Sequence, residues 1–309
     1  MNDLVAADPL EAARRYAAAE KSENTRRAYR ADLKQFVAWC ESVGRRAVPA
    51  SAETCAVYFA HCAESGLKVS TIQRRAAAIA YAHRLAGEAS PLGVEAVKMV
   101  LRGVRRSLGV APQGKAPLTA DLVLKLVRRL PDTLAGKRDR ALIVLGFATA
   151  LRRSELVALR VEDLSRVAEG LIVRVVRSKT DQEGRGREIA VPFGGRLKPV
   201  EALDAWLAAA QISSGPLFRA VSRHGAVSAG AIDGRAAAEI VKRAAGRAKM
   251  DAAAFAGHSL RAGFVTSALA SGADLFRVMD VTGHREVKTL RGYDRRAKAF
   301  KGHAGARFL

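Results

Sequence analysis

Tyr293 stands nine residues after His284, in Thr282-Gly283-His284-Arg285-Glu286-Val287-Lys288-Thr289-Leu290-Arg291-Gly292-Tyr293. Upstream lie His258-Ser259-Leu260-Arg261 and Leu151-Arg152-Arg153-Ser154-Glu155. Two arginines, two histidines and a phenol, in a chain of formal net charge +22, point to a tyrosine that attacks a phosphodiester. Such chemistry, done without a metal, needs an in-line nucleophile, positive donors for the non-bridging oxygens and an acid for the leaving 5′ oxygen. A tyrosine nucleophile keeps the bond energy as a phosphotyrosyl ester, so no ATP is needed.

Arg152 and Arg261 are the candidates for clamping a phosphate, because a guanidinium fork matches two phosphate oxygens. Glu155, three residues after Arg152, is placed to orient it from the same helical face. Arg153 competes for the role, and alone the segment reads as a surface Arg–Glu pair. His258 and Arg261, at i and i+3, point the same way from a helix start, and His258 can exchange a proton with the Tyr293 phenol. His284 can donate a hydrogen bond to a phosphate oxygen. Lys179, in Arg177-Ser178-Lys179-Thr180, has the reach to protonate a leaving oxygen from a projecting hairpin. Taken singly, His-x-x-Arg, Gly-His and a hairpin lysine occur by chance in many proteins. Their order and spacing together carry the reading.

The elements that must hold these groups are legible. The first third reads as helices: 8–19, 22–43, 52–65 capped by Ser51, 71–86 capped by Ser70, and one opened by Pro91 that runs to Leu108. On the second of these, Ala28, Leu33, Phe36, Val37 and Cys40 are expected on one face. Gly109–Pro117 has two glycines and two prolines in nine residues and reads as a linker. Further helices are expected at 120–130, capped by Thr119, and at 141–150, after Lys137-Arg138-Asp139-Arg140. Residues 171–177 and 187–192, β-branched around a Gly-containing connection, predict a hairpin. Helices return at 198–210, 231–249 and from near His258 and Asp274, and another carries Tyr293.

The charge is uneven. Residues 1–110 hold 17 basic and 11 acidic residues, and residues 111–309 hold 35 and 19. An excess of this size predicts a polyanionic partner. No apolar run reaches the roughly 18–20 residues of a spanning helix, and Met1-Asn2-Asp3-Leu4 lacks the order of a signal peptide. Cys40, Cys55 and Cys62 match no metal spacing and read as reduced core thiols of a cytoplasmic, nucleoid-associated protein. No metal or cofactor is expected.

The whole set resembles the tyrosine recombinase (phage integrase) family. Arg138-Asp139-Arg140-Ala141-Leu142 running into Leu151-Arg152-Arg153-Ser154-Glu155-Leu156 looks like the family's first catalytic box. His258-Ser259-Leu260-Arg261, followed by Gly272-Ala273-Asp274-Leu275, looks like the second. Thr282-Gly283-His284 to Tyr293 looks like the last. Ser22–Leu33 is similar to the first helix of the family's core-binding domain. Ala262-Gly263, where polar residues are more usual, and Arg153, where an aliphatic residue is, depart from the pattern.

The resemblance implies a mainly α fold with a small β-sheet. An N-terminal helical core-binding (SAM-like) domain, residues 1–109, would be followed by a linker, 110–117, and a mixed α/β catalytic domain with a C-terminal tail, 118–309. The two domains would form a C-shaped clamp on duplex DNA. The implied activity is site-specific recombination through a 3′-phosphotyrosyl intermediate. Tyr293 is the nucleophile; Arg152, Arg261 and His284 stabilise the transition state; His258 handles the phenol proton; Lys179 is the general acid. Thr71, Gln73, Arg74 and Arg75 are candidate groove contacts. The implied partner is a double-stranded recombination site, held by a homotetramer that is monomeric when free. Phe300, Phe308 and Leu309 on the tail are candidates for docking on a neighbouring protomer. A type IB topoisomerase and a non-catalytic DNA-binding protein on this scaffold are the rival readings.

Overall fold

The structure is a computed structural model. It describes residues 20–109, 115–176 and 186–284, together with 286, 287 and 290. The predicted helix at 8–19, the hairpin tip with Lys179, the helix with Tyr293 and the tail lie outside the described residues. The chain divides into two compact units, Met1–Gln113 and Gly114–Leu309.

In the first unit, α1 (Glu23–Ser42) starts at Ser22, whose side chain accepts from the Thr25 amide at 3.3 Å. Phe36 and Cys40, one turn apart, are fully buried, and Gly44 stops the helix at φ +65°. Val37 does not join the apolar face and is exposed. Asp32 takes an interior position instead, ion-paired with Arg74 from a neighbouring helix. α2 (Ala52–Glu64) is capped by Ser51, which accepts from the Thr54 amide at 3.1 Å. α3 (Val69–Leu85) begins two residues before the expected start, with Lys68 at its cap. Burial of Val69 draws the helix back, and Ser70 lies inside it, exposed. Pro91 opens a 3-10 turn, Pro91–Gly93, rather than the long helix. Val94 is extended, and α4 (Glu95–Leu108) follows. The core is Phe36, Cys40, Cys55, Tyr58, Phe59, Cys62, Ile72, Ile79 and Val97. Burial pushes the Cys55 thiol up to about 12, which makes it an inert core group.

The second unit is built on α6 (Leu134–Ala148), whose residues Ala141 to Leu145 are all fully buried. It packs against α8 (Pro199–Ala209), where buried Trp206 donates Nε1 to the Leu217 carbonyl at 2.9 Å. α6 starts earlier than expected, after Thr133, whose hydroxyl accepts from the Gly136 amide. Lys137–Arg140 is therefore helical. Buried Arg138 is paired with Asp139, and Arg140 donates to the Val127 and Leu130 carbonyls. That bond closes the end of α5 (Ala120–Val127), which stops three residues short of the expected Leu130.

The hairpin forms from β2 (Gly170–Val175) and β3 (Arg187–Pro192), antiparallel, with Val175 opposite Arg187. β1 (Leu164–Val167) adds a third strand that the sequence reading lacked, and β4 (Arg219–Val221) pairs with β5 (Val227–Ala231). α9 (Gly234–Arg247) is shorter than expected because Ala231 belongs to β5 and Asp233 caps the helix. α10 (Ser259–Ala270) and α11 (Leu275–Thr282) follow. The end of the predicted linker lies along this unit. The Ala116 amide donates to the Ala254 carbonyl and the Leu118 amide to the Ser259 carbonyl, both at 2.9 Å. A Cβ on Gly263 would fall on the Leu118 carbonyl oxygen. This close approach explains the small residue after the second arginine.

Candidate active site

Arg152 is placed by the end of α6. After Ala148 the chain turns through Ala150, in the left-handed region at φ +48°, and Leu151 is buried. Arg152 then becomes the N-cap of α7 (Arg153–Ala158). Glu155 holds it twice: the Arg152 amide donates to Oε2 at 3.0 Å, and Nη1 donates to Oε1 at 2.7 Å. The expected pairing of Arg152 and Glu155 exists, with Glu155 accepting both from the amide and from the side chain of the residue at the helix cap. Arg153 packs its stem against Gly234 and Gly257, outside this pair.

His258 and Arg261 sit at the cap and first turn of α10. Arg261 is 2% exposed, donating Nη1 to the Ala150 carbonyl at 2.8 Å and Nη2 to His284 Nε2 at 3.0 Å. It thereby ties the turn before Arg152 to the residue after α11. A guanidinium only donates, so His284 Nε2 accepts and the ring proton is on Nδ1. Nδ1 donates to Thr282 Oγ1 at 2.7 Å, and the Thr282 hydroxyl donates in turn to the Val278 carbonyl at 2.7 Å. Gly283, at φ +67°, makes the turn from α11 into His284.

Desolvation lowers the His284 pKa to about 4, aided by Arg261, Arg152, His258 and Arg187. His258 is exposed as a residue, yet its pKa is also lowered, by withdrawal from water first, then by Arg261 and Arg152. Both imidazoles are neutral among arginines. The site is a cationic cluster that suits an anion. Both ring nitrogens of His284 have protein partners here, so donation to a phosphate requires one of those bonds to open.

The sequence reading missed Arg187. The first residue of β3, it donates Nη1 to the Val281 carbonyl at 2.8 Å and brings Nη2 to 3.7 Å from Glu155 Oε2. Alternation would have found it. Ile189 and Val191, two and four residues on, point to the core, so Arg187 shares their face. A charged residue on a core face is the signal.

A sequence model described as the phage integrase family matches residues 117–299, and one for its N-terminal SAM-like domain matches residues 15–88. The chain belongs to the phage integrase family. It is a tyrosine recombinase, a DNA strand transferase. It is similar to an integrase/recombinase XerD homolog of Selenomonas ruminantium, 37% identical over 290 residues, covering 92% of this chain and 85% of the relative. It is also similar to tyrosine recombinase XerD of Rhizobium meliloti, 30% identical over 288 residues, with 87% and 84% covered. Its fold is that of the Tn1549 transposon integrase solved with transposon right end DNA, at TM-score 0.62, 16% identity, and 93% and 96% coverage. A lambda integrase dimer bound to a COC' core site gives TM-score 0.61 at 17% identity, covering 91% of this chain and 74% of that one.

For this integrase-family chain, the structure gathers Arg152, Glu155, His258, Arg261 and His284, from three separated segments, at one place. Lys179 and Tyr293 lie outside the described residues. The four candidate groove residues on α3 divide. Gln73 is exposed and Thr71 half-buried. Arg74 is surface-accessible but bound to Asp32 through Nε at 2.7 Å and Nη2 at 3.0 Å. Arg75 turns inward, donating Nη1 to the Tyr58 hydroxyl at 2.9 Å. Among the described residues, no helix is long and apolar enough to cross a membrane.

Proposed function

We propose that the chain recombines specific DNA sites by breaking and rejoining strands through a 3′-phosphotyrosyl intermediate on Tyr293. The observation that carries this is the arginine pair, Arg152 and Arg261, fixed by Glu155 and by His284 around one cationic site. The Tyr293 oxygen attacks phosphorus, the bond from phosphorus to the 5′ oxygen breaks, and that oxygen takes a proton from Lys179. Arg152 and Arg261 stabilise charge on the non-bridging oxygens. His258, neutral and at the site's edge, accepts the phenol proton. The 5′ hydroxyl of a partner duplex then attacks the phosphotyrosyl link and restores the phenol. Two such exchanges, through a Holliday junction, complete recombination.

The partner in this reading is duplex DNA, supported by the chain's formal net charge of +22 and by the DNA-bound fold relatives. Gln73 and Thr71 are its best placed contacts on α3. The active assembly is a homotetramer on two duplexes, built from protomers that are monomeric when free.

The test uses a binding site selected from random-sequence duplex, prepared with a nick just 3′ of the scissile phosphate so that the short fragment carrying the freed 5′ hydroxyl escapes. The wild-type chain forms a covalent adduct, whereas Tyr293→Phe binds the same duplex and forms none. The remaining tyrosines, Tyr16, Tyr29, Tyr58 and Tyr81, all precede the catalytic half. Adduct formation by the Phe variant would remove Tyr293 as nucleophile. A wild-type chain that binds without any adduct would leave a non-catalytic DNA-binding protein.

A further inference from the structure

Arg187 occupies a place where a merely structural arginine would be a poor choice. It lies on the core face of β3 with only 20% of its side chain exposed. Among the described residues it makes one hydrogen bond, to the Val281 carbonyl, and its approach to Glu155 is a long 3.7 Å. Nε and Nη2 are buried without a hydrogen-bond partner among the described residues. Burying guanidinium N–H groups unpaired is costly, and such groups in a folded protein call for an explanation. Burial lowers the Arg187 pKa, Glu155 opposes this, and like-charge repulsion from Arg152 adds to the lowering.

What the residue touches supplies the explanation. Val281 is the penultimate residue of α11, and His284 follows three residues later. The bond to its carbonyl pins the helix end, where a cation is favoured by the helix dipole. Arg187 Nη1 also fills the space beside Gly283, 2.6 Å from where a Cβ would stand. The same guanidinium faces the carboxylate that holds Arg152. One side chain therefore joins the base of the β2–β3 hairpin, the Arg152–Glu155 cap and the turn that delivers His284 to Arg261.

We propose that Arg187 is a positioning residue of the recombination site, setting the His284 turn against the Arg152–Glu155 pair. It acts through His284 and Glu155, and its under-bonded place serves that purpose. The proposal rests on the strand-transfer reading above.

The test compares Arg187→Met, Arg187→Ala and Arg187→Lys in the full-length chain, on the nicked duplex, under single-turnover conditions. Met keeps most of the volume without the charge. Glu155 keeps Arg152 as its partner when Arg187 is lost, and the loss relieves the like-charge repulsion between the two arginines. The Met variant should therefore melt at or above the wild-type temperature and bind the duplex within about threefold. Its adduct should form about ten- to a hundredfold more slowly, because small misplacements of reacting groups are that expensive. The Lys variant should recover part of the rate. Added guanidinium ion should accelerate the Ala variant and leave the wild type unchanged, a response that loss of packing alone would not give. A Met variant that cleaves within about threefold of wild type would overturn the proposal. So would variants that lose melting temperature and binding together, with no guanidinium rescue. If the wild type itself forms no adduct, the strand-transfer reading has failed, and that outcome is distinct from either.

Discussion

At the scale of single residues, the least expected feature is the protonation of His284. Arg261 offers only donors, so the imidazole accepts on Nε2 and donates its Nδ1–H to Thr282. A second proton would set an N–H against a guanidinium, and the folded pKa falls from 6.5 to about 4. The unfolded chain takes that proton near 6.5 and the folded chain only near 4. This group's contribution to stability is therefore complete above the unfolded value and is lost as pH falls through the window. His258 is shifted the same way. A phosphate in the site changes the balance. It draws on Arg261 and places negative charge beside the ring, which favours imidazolium. DNA binding should then take up a proton within the window, turning His284 into the donor that phosphate chemistry wants. Calorimetry at about pH 5.5, in buffers of different ionisation enthalpy, counts that proton. His284→Gln should take up measurably less than the wild type. Equal uptake by the two proteins would show that the ring stays neutral on DNA.

At the scale of elements, the turn out of α11 shows how packing and backbone conformation combine. Gly272 and Gly283 both have positive φ, +87° and +67°. A Cβ on Gly272 meets nothing within 4 Å, while one on Gly283 meets the Arg187 guanidinium at 2.6 Å. Gly272→Ala should cost the backbone strain alone, about 1–2 kcal/mol. Gly283→Ala should cost more and should also slow adduct formation, because Arg187 must move. Denaturant titration of both variants checks this, and equal losses would mean that the guanidinium yields freely. Legibility followed the same physics. Ser22 and Ser51 announced their helices because their side chains do cap them. Ser70 misled, since burial of Val69 fixed the start of α3 and no side chain was needed at its cap. The β2–β3 hairpin was plain from its β-branched runs. β1, Leu-Ser-Arg-Val, and β5, Val-Ser-Ala-Gly-Ala, hold too few such residues to stand out. Arg152, His258, Arg261 and His284 were recoverable from spacing. Of the partners that fix them, the Ala150 carbonyl reaches Arg261 across 111 residues and has no short-range signature, whereas Thr282 is two residues from His284 and Arg187 shows in the alternation of β3.

At the scale of the whole molecule, charge is the dominant fact, but not all of it is available to a ligand. Arg74 is committed to Asp32, Arg138 to Asp139, Arg166 to Asp204 and Arg196 to Asp121. Exposed pairs such as Arg196–Asp121 are weak and can be exchanged for phosphate. The bonds of Arg74 to buried Asp32 and of Arg75 to Tyr58 hold α3 within its own unit. The larger cationic excess lies in residues 111–309, with 35 basic and 19 acidic side chains. If binding engages roughly 6–10 phosphates, affinity should fall by about 10³–10⁵ between about 50 and 200 mM salt. Fluorescence anisotropy on the selected duplex measures the slope. Removing a cation that touches phosphate should lower that slope by about one unit, whereas Gln73→Ala should weaken binding at every salt concentration without changing it. Arg75→Ala, whose guanidinium faces the Tyr58 hydroxyl, should leave the slope unchanged and lower the melting temperature instead. Affinity that stays flat across the salt range would mean that the basic excess does not bind DNA, and the duplex partner would have to be given up.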